Sequence, residues 1–556
     1  MAATDSQSSG RPVSLYAAFE AVATKYADKT ALIGSGGKGL ALTYREALTR
    51  IQQLAAGLQT PEFSGLSEIG LISENRPEWP IAYLAIVAAG KTVVPLDANL
   101  HPGEIEAIIR HAGLSVLFVS GRFEPVVASF GPDLRLFSFE SESPNNWSKL
   151  VSSPVDFTPL GSRETVASLI YTSGTTGAPK AVILTHGNLL ANLEAIDKAI
   201  HFDERDVQLS LLPLHHTFET TCGFLTPLIH GATIVYARGL KSKEVLEDIS
   251  ANRVTLMCGV PLLYEKMYHS IHRKVETAPL IRRLMFRLLL WISALGWQLG
   301  RRWGRGLFAG VRRRAGLADI RMFVSGAAAL PPNIQRFFVL IGFDFLQGYG
   351  MTEASPVISV NRADSIVFGS VGPPLDGVEV RIDRPDENGI GEIIVRGENC
   401  TSGYKNNPEQ TAELWRNGWL HTGDLGTFRD GQLWITGRAK NLIVSAAGKN
   451  IYPEELEEKL SESDYILEVI VFGRAKHGRH GEEVRALIVP DIEQFQLEFG
   501  LDPAQPNADL VREILSREVA MVNAEIADYK RITGFEVHFQ ELEKTSTKKV
   551  KRFVYR

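Results

Sequence analysis

The ten residues Tyr171-Thr-Ser-Gly-Thr-Thr-Gly-Ala-Pro-Lys180 follow the apolar run Ala167 to Ile170. Thr172, Ser173, Thr175 and Thr176 place four hydroxyls around Gly174 and Gly177, and Lys180 closes the stretch with a positive charge. Glycine lets the backbone turn so that successive N–H groups converge, the hydroxyls add donors and the lysine adds charge, so the loop suits a polyphosphate. The G-x-x-x-x-G-K-[ST] spacing of a Walker A loop is absent, which removes the main support for a P-loop nucleoside triphosphatase. A polar surface loop is the plain alternative, and the ordered run ending in Pro-Lys speaks against it.

At roughly 150 residues per domain, a chain of 556 residues holds about three or four domain-sized units. With 44% hydrophobic and 22% charged residues it has the composition of a globular protein, which excludes disordered, collagenous and disulfide-rich classes. A net charge of -5 gives no sign of a nucleic-acid partner. Cys222, Cys258 and Cys400 lie far apart and in no zinc or disulfide pattern, which fits a reducing cytoplasm. Met1 to Arg11 is polar, with no basic region leading into an apolar one, and so reads as a short disordered lead-in and not as a signal peptide. The longest strongly apolar stretch, Leu288 to Gly300, has 13 residues, short of the roughly 20 that a membrane-spanning helix needs.

From about Val13 to Leu346, helical patterns (Leu15 to Lys25, Tyr44 to Leu58) alternate with short β-branched runs such as Thr30 to Ile33, Thr92 to Pro95, Val116 to Val119 and Thr233 to Tyr236. That alternation predicts α/β layers. After Gly350 the punctuation by Gly and Pro tightens around brief strands (Val378 to Ile382, Glu392 to Arg396, Leu433 to Thr436), which predicts a β-rich subdomain. A last segment, with helices at Pro453 to Leu460 and Ala508 to Ala524 and strands at Ile466 to Phe472 and Val484 to Pro490, predicts a small α+β domain.

The run Tyr171 to Lys180 resembles the signature of the adenylate-forming superfamily, which includes acyl-CoA synthetases, luciferases and peptide-synthetase adenylation domains. Further stretches match in the family's order: Leu212-Pro-Leu-His-His-Thr-Phe-Glu219, Gln347-Gly-Tyr-Gly-Met-Thr-Glu353, Gly391 to Thr411, Thr422-Gly-Asp-Leu425, Gly437 to Asn441 through Asn450 to Glu455, and Lys544 to Arg552. The resemblance therefore covers essentially the whole chain. It implies an N-terminal adenylation domain over residues 1–437, a hinge at 438–440 and a mobile C-terminal lid over 441–556. It also implies ATP-dependent activation of a carboxylate to an acyl-adenylate, followed by transfer to a thiol, usually that of coenzyme A.

Residue by residue, the resemblance assigns Thr172 to Lys180 to the ATP phosphates, and Glu353 with Thr352 to Mg2+, for which a carboxylate is the hard oxygen ligand. It puts Tyr349 against the adenine, with the run Ser325 to Ala328, Gly326 and Ala327 included, giving backbone contacts. Asp424 would accept from the ribose hydroxyls, as an acceptor-only carboxylate can, and Arg438 would reach ribose or phosphate. His216, in preference to the adjacent His215, would lie near the acyl carboxylate. Lys549 would stabilise the α-phosphate and carboxylate during adenylation; Lys548 departs from the pattern, since many members carry Gly there. Lys440 would be the pivot, and Gly448 with Lys449 would face the CoA channel.

Two weaker patterns are set aside. Gly34-Ser-Gly-Gly-Lys-Gly39 satisfies G-x-G-x-x-G, yet Leu40 to Tyr44 continues as a second strand and not as the helix a dinucleotide site needs, so it predicts a hairpin turn. His201 and Asp206 satisfy the H-x-x-x-x-D pattern of glycerolipid acyltransferases, a spacing that arises easily by chance. Between Arg273 and Arg314 there are eleven Lys/Arg and one acid, Glu276, while Ile281, Leu284, Met285, Leu288, Leu289, Ile292 and Leu295 recur at helical spacing. This predicts a basic amphipathic helix pair, either a peripheral membrane element or a hairpin packed on the core. Long-chain members of the family resemble this chain in having an extended basic segment here, which favours fatty acids. The function this implies is long-chain fatty acid to CoA ligation. The alternatives are a fatty-acyl-AMP ligase that loads a carrier protein and an inactive acyl-binding homologue, and retention of Lys180, Glu353, Asp424, Arg438 and Lys549 argues against the last.

Overall fold

The computed structural model describes residues 11–37, 40–151, 157–172, 180–445, 449–475, 481–502, 506–544 and 550–555. The chain forms two compact units: Met1–Ala328 with Asn333–Val380 and Val395–Leu420, and Ala329–Pro332 with Arg381–Ile394 and His421–Arg556. The first is α/β and the second is smaller and richer in strand, as the alternation before Gly350 and the tighter punctuation after it predict.

The first unit holds two sheets. One runs in the order Arg135–Ser138, Val116–Val119, Glu68–Ile72, Thr92–Pro95, Val166–Thr172, Lys180–Thr185, parallel except for the last pair. The other has eight strands, from Val357–Val360 through Asp344–Gly350, Met322–Ser325, Leu256–Gly259, Val207–Ser210, Thr233–Tyr236 and Thr30–Ile33 to Ala41–Thr43, antiparallel only in its terminal pairs. Thr30–Ile33 and Ala41–Thr43 form the hairpin predicted in place of a dinucleotide site.

A single core joins the two sheets, with Leu32, Ile234 and Tyr236 of one and Ile69, Val93 and Phe118 of the other. The helix Glu78–Ala88 supplies part of its centre and is buried from Trp79 to Ala88. A helix apolar on every side needs such a setting. Its Trp79 and Tyr83 rings stack at 5.4 Å, and the Tyr83 hydroxyl shares a 2.8 Å hydrogen bond with Ser168. In the second unit Ile466–Ala475, Glu482–Pro490 and Gly534–Val537 form a three-stranded sheet. Leu456 and Leu460 of helix Pro453–Leu460, and Val511 and Leu515 of helix Ala508–Glu525, share a core with Val471, Val484 and Ile488 of that sheet.

Candidate active site

In the first unit the matched stretches gather at one edge. The parallel strands Val207–Ser210, Leu256–Gly259, Met322–Ser325 and Asp344–Gly350 run the same way, and the segments beyond their C-terminal ends carry His215–Glu219, Gly326–Ala327 and Thr352–Glu353. Ligands of open α/β sheets bind at that edge, where loops collect side chains from several strands. Thr172 and Lys180 are direct partners across Val166–Thr172 and Lys180–Thr185, so the two ends of the hydroxyl-glycine run lie side by side. Ser173, Gly174, Thr175, Thr176 and Gly177 lie outside the described residues.

The Lys180 ammonium sits 5.7 Å from the centre of the Tyr404 ring, and the Tyr404 hydroxyl donates to Glu353 Oε1 at 2.7 Å. Tyr404 is thus a bridge between two of the expected phosphate and metal residues, and the sequence reading missed it. Its backbone is fixed by a bridge to Val182 and by its N–H donating to Thr411 Oγ1 at 3.0 Å. The preceding Gly403 has φ 138°, and a Cβ there would lie 2.3 Å from Thr411 Cγ2, so only glycine fits. Burial, reinforced by the Glu353 charge, pushes the Tyr404 hydroxyl far above its ordinary range, and it therefore stays a donor.

Glu353 is held further by its carbonyl, which accepts from the Thr401 N–H at 2.8 Å. The Thr217 hydroxyl donates to Thr352 Oγ1 at 3.1 Å. Tyr349 is half-buried in Asp344–Gly350 opposite Ser359. Ala327 has φ 71°, a left-handed conformation that costs a non-glycine residue about 1–3 kcal/mol and marks a backbone dictated by its surroundings.

The rings of His215 and His216 lie 4.1 Å apart. His215 Nε2 is 3.3 Å from Asp97 Oδ1, within ion-pair range, but the geometry is not that of a hydrogen bond. Burial, then the neighbouring His215, holds His216 down to about 3 against the opposing pull of Asp97. Near neutral pH it is an uncharged imidazole that can donate to a carboxylate without offering a full charge. The H-x-x-x-x-D pair is structural by contrast: Asp206 is clamped by Arg321 at 2.8 and 2.6 Å, while the His201 side chain is 83% exposed.

Beneath the histidines, Glu219–Leu225 forms a π-helical turn, a rare geometry that recurs at functional sites. The Glu219 carboxyl is fully buried, accepts from Ser210 Oγ at 2.7 Å and has no partner on Oε2. A Cβ on Gly223 would lie 2.3 Å from the Glu219 Cδ, so glycine makes the room for this carboxyl. Burial raises Glu219 to about 8 against the opposing pull of the Ser210 hydroxyl and the nearby Leu211 and Leu212 N–H groups, so it is protonated near neutral pH. The unfolded chain gives up that proton from about pH 4.5, the ordinary carboxyl value. The protonated carboxyl therefore contributes stability that is fully present below pH 4.5 and is lost as pH rises through 8. Glu219→Gln removes this pH dependence. Thermal melts at pH 6 and pH 9 should show a smaller alkaline loss in the variant than in the parent, and equal losses would mean that Glu219 is ionised in the fold.

In the second unit Asp424 and Arg438 are direct antiparallel partners. Arg438 Nε lies 2.8 Å from Asp424 Oδ1, and the Asp424 side chain is only 7% exposed. The Asp424 N–H donates to Thr422 Oγ1 at 3.1 Å. Lys440 falls in the tight turn Ala439–Asn441. Gly448 and Lys549 lie outside the described residues; Lys544 pairs with Glu468 and, at 3.0 Å, with Glu541.

A family model described as AMP-binding enzyme matches residues 19–405. The chain is 31% identical over 480 residues to the peroxisomal long chain acyl-CoA synthetase 7 of Arabidopsis thaliana, a match covering 79% of this chain and 68% of that protein. It is 32% identical over 464 residues to a feruloyl-CoA synthase of an Amycolatopsis species, covering 81% and 84%. A benzoate CoA ligase structure from Burkholderia xenovorans LB400 aligns with a TM-score of 0.78 at 23% identity, over 98% of this chain and 99% of that one. An anthranilate CoA ligase in complex with anthranoyl-AMP aligns with a TM-score of 0.78 at 24% identity, over 99% and 98%. At these identities the structures speak for the fold.

Proposed function

The chain belongs to the AMP-binding enzyme family, and from that premise we propose that it is an acid–thiol ligase that uses ATP to join a long-chain fatty acid to coenzyme A. In the first half-reaction a carboxylate oxygen bonds to the α-phosphorus while the bond to pyrophosphate breaks. In the second the CoA sulfur bonds to the acyl carbon while the bond to AMP breaks. Neither step needs a covalent enzyme group. Both need positioning and charge stabilisation.

The observation that carries this reading is the Tyr404 bridge, which aligns the Glu353 carboxylate and the Lys180 ammonium beside the paired ends of the phosphate-loop run. Glu353 Oε2 has no hydrogen-bond or ion-pair partner among the described residues, and with the Thr352 hydroxyl it offers hard oxygens that fit Mg2+. That ion would neutralise phosphate charge, and Lys180 would add to it. Neutral His216 would orient the acyl carboxylate, Tyr349 with Gly326 and Ala327 would hold the adenine, and Asp424 with Arg438 would hold the ribose. In this reading 438–440 is a hinge with Lys440 as pivot, the segment 441–556 is a lid carrying Lys549, and Gly448 meets CoA.

Matching relatives include long-chain acyl-CoA synthetases and feruloyl-CoA synthases. The fatty-acid assignment therefore rests on the apolar and basic segment 273–314, which suits a substrate that partitions into bilayers. Pyrophosphate release, measured over saturated acids of graded length and over ferulate and benzoate, with CoA, with a phosphopantetheinylated carrier protein and with neither, tests it. Long acids should give the highest kcat/KM, with thioester formed on CoA. A preference for aromatic acids would overturn the substrate, and thioester on the carrier alone would overturn the acceptor.

A further inference from the structure

The helix Leu280–Gln298 is anchored by one face only. On that face the Phe286 ring lies 5.3 Å from Phe308, Ser293 Oγ donates to the Leu340 carbonyl at 2.6 Å, and Trp297 lies 5.5 Å from Phe368. The opposite face carries Leu280, Leu284, Leu288, Trp291 and Leu295, with 60, 55, 55, 64 and 39% of their surfaces exposed. Steps of four, four, three and four residues put these side chains in one row along the helix. Ile281, 74% exposed, and Met285, 56% exposed, widen it. A surface helix ordinarily turns such a stripe inward. Here the apolar stripe is the solvent face, and the side of Phe286, Ser293, Gly296 and Trp297 meets the core.

The charges of this segment restrict what can cover the stripe: on the helix itself Arg283 and Arg287 lie directly beside it, and further arginines lie elsewhere between 273 and 314. Arg282, Arg283, Arg301, Arg305, Arg313 and Arg314 have no carboxylate partner among the described residues. Arg287 lies 3.6 Å from Glu276, the one acid between Arg273 and Arg314, and Arg302 pairs with Asp344. A second copy packed face to face on this stripe would set arginines against arginines. An anionic lipid surface satisfies both features at once, since phosphates meet the guanidinium groups while the leucines enter the acyl boundary and Trp291 rests at headgroup depth. No described helix is long and apolar enough to cross a membrane, so on a bilayer this element would lie in the interface plane.

We propose that Leu280–Gln298 docks the protein on the surface of an anionic bilayer, with the Leu280 to Leu295 stripe inserted and the flanking arginines on lipid phosphates. This goes beyond the ligase reading and stands without it. Flotation tests it, using phosphatidylcholine vesicles with and without about one third phosphatidylglycerol at roughly 0.05 and 0.5 M salt. The full chain should bind the anionic vesicles at least about tenfold more tightly than the neutral ones, and less tightly at high salt.

Leu284→Asp with Leu288→Asp should cut binding at least about tenfold while leaving the melting temperature and the turnover of a micelle-free soluble acid unchanged, because both side chains point to solvent. Arg283→Glu with Arg287→Glu should abolish the preference for anionic lipid. No binding at low salt, or full binding by the leucine variant, would overturn the proposal. So would a dimer in sedimentation that the leucine variant dissolves, since the stripe would then belong to a second copy.

Discussion

Lys549→Ala should lower ATP–pyrophosphate exchange on the order of a hundred- to a thousandfold, the loss typical of removing one preorganised donor to developing charge. Negative charge gathers on the α-phosphate and the incoming carboxylate only as the new O–P bond forms, so an ammonium aimed there acts on the transition state, and acid and ATP should bind the variant almost normally. The second half-reaction needs no such charge, because the mixed anhydride already carries AMP as its leaving group. Thioester formation from supplied acyl-AMP should therefore be nearly retained in single turnover, as expected if Lys549 withdraws by rotation near Lys440 before the thiol arrives. Near-normal exchange in Lys549→Ala, with Lys548→Ala inactive, would move the assignment by one residue. Equal loss in both half-reactions would argue against a lid that changes place.

Much of the scaffold is legible from local chemistry. The helix Tyr44–Leu58 begins where Thr43 and Glu46 form a capping box, and its boundaries are those of the sequence pattern because cap and periodicity agree. The short strands Thr92–Pro95, Val116–Val119 and Thr233–Tyr236 likewise end at their turn residues. The features that escaped depend on partners remote in sequence. Tyr404 gains its role from Glu353, 51 residues away, and nothing local separates it from an aromatic used for packing. The π-helical turn at Glu219 depends on the room left by Gly223 and on Ser210, which belongs to another element. For the helix Leu280–Gln298, periodicity identifies the residues that share a face but not which way that face turns. That is set by Phe308, Leu340 and Phe368, which claim its Phe286, Ser293 and Trp297 side.

The Glu353 and Tyr404 pair gives the second large effect. Glu353→Gln keeps the size of the side chain and an oxygen, but it removes the charge that makes the residue a strong acceptor from Tyr404 and that the proposed role as ligand of a hard cation requires. Adenylation should fall by roughly a hundredfold or more, and Glu353→Asp should recover little, since a shorter arm withdraws the carboxylate from both partners. Tyr404→Phe deletes one hydrogen bond to a charged acceptor, worth about 1.5–3 kcal/mol, or about a ten- to a hundredfold loss in kcat/KM if the whole of it goes into orienting Glu353. The decisive measurement is the double variant. If Tyr404 acts only through Glu353, Tyr404→Phe should cost almost nothing once Glu353 is Gln, giving a coupling energy close to the whole Tyr404 effect. Additive losses would assign the tyrosine a separate task, with Lys180 and its 5.7 Å ring contact the first place to look. Unchanged melting temperatures across the four proteins would show that the cycle reports chemistry and not folding.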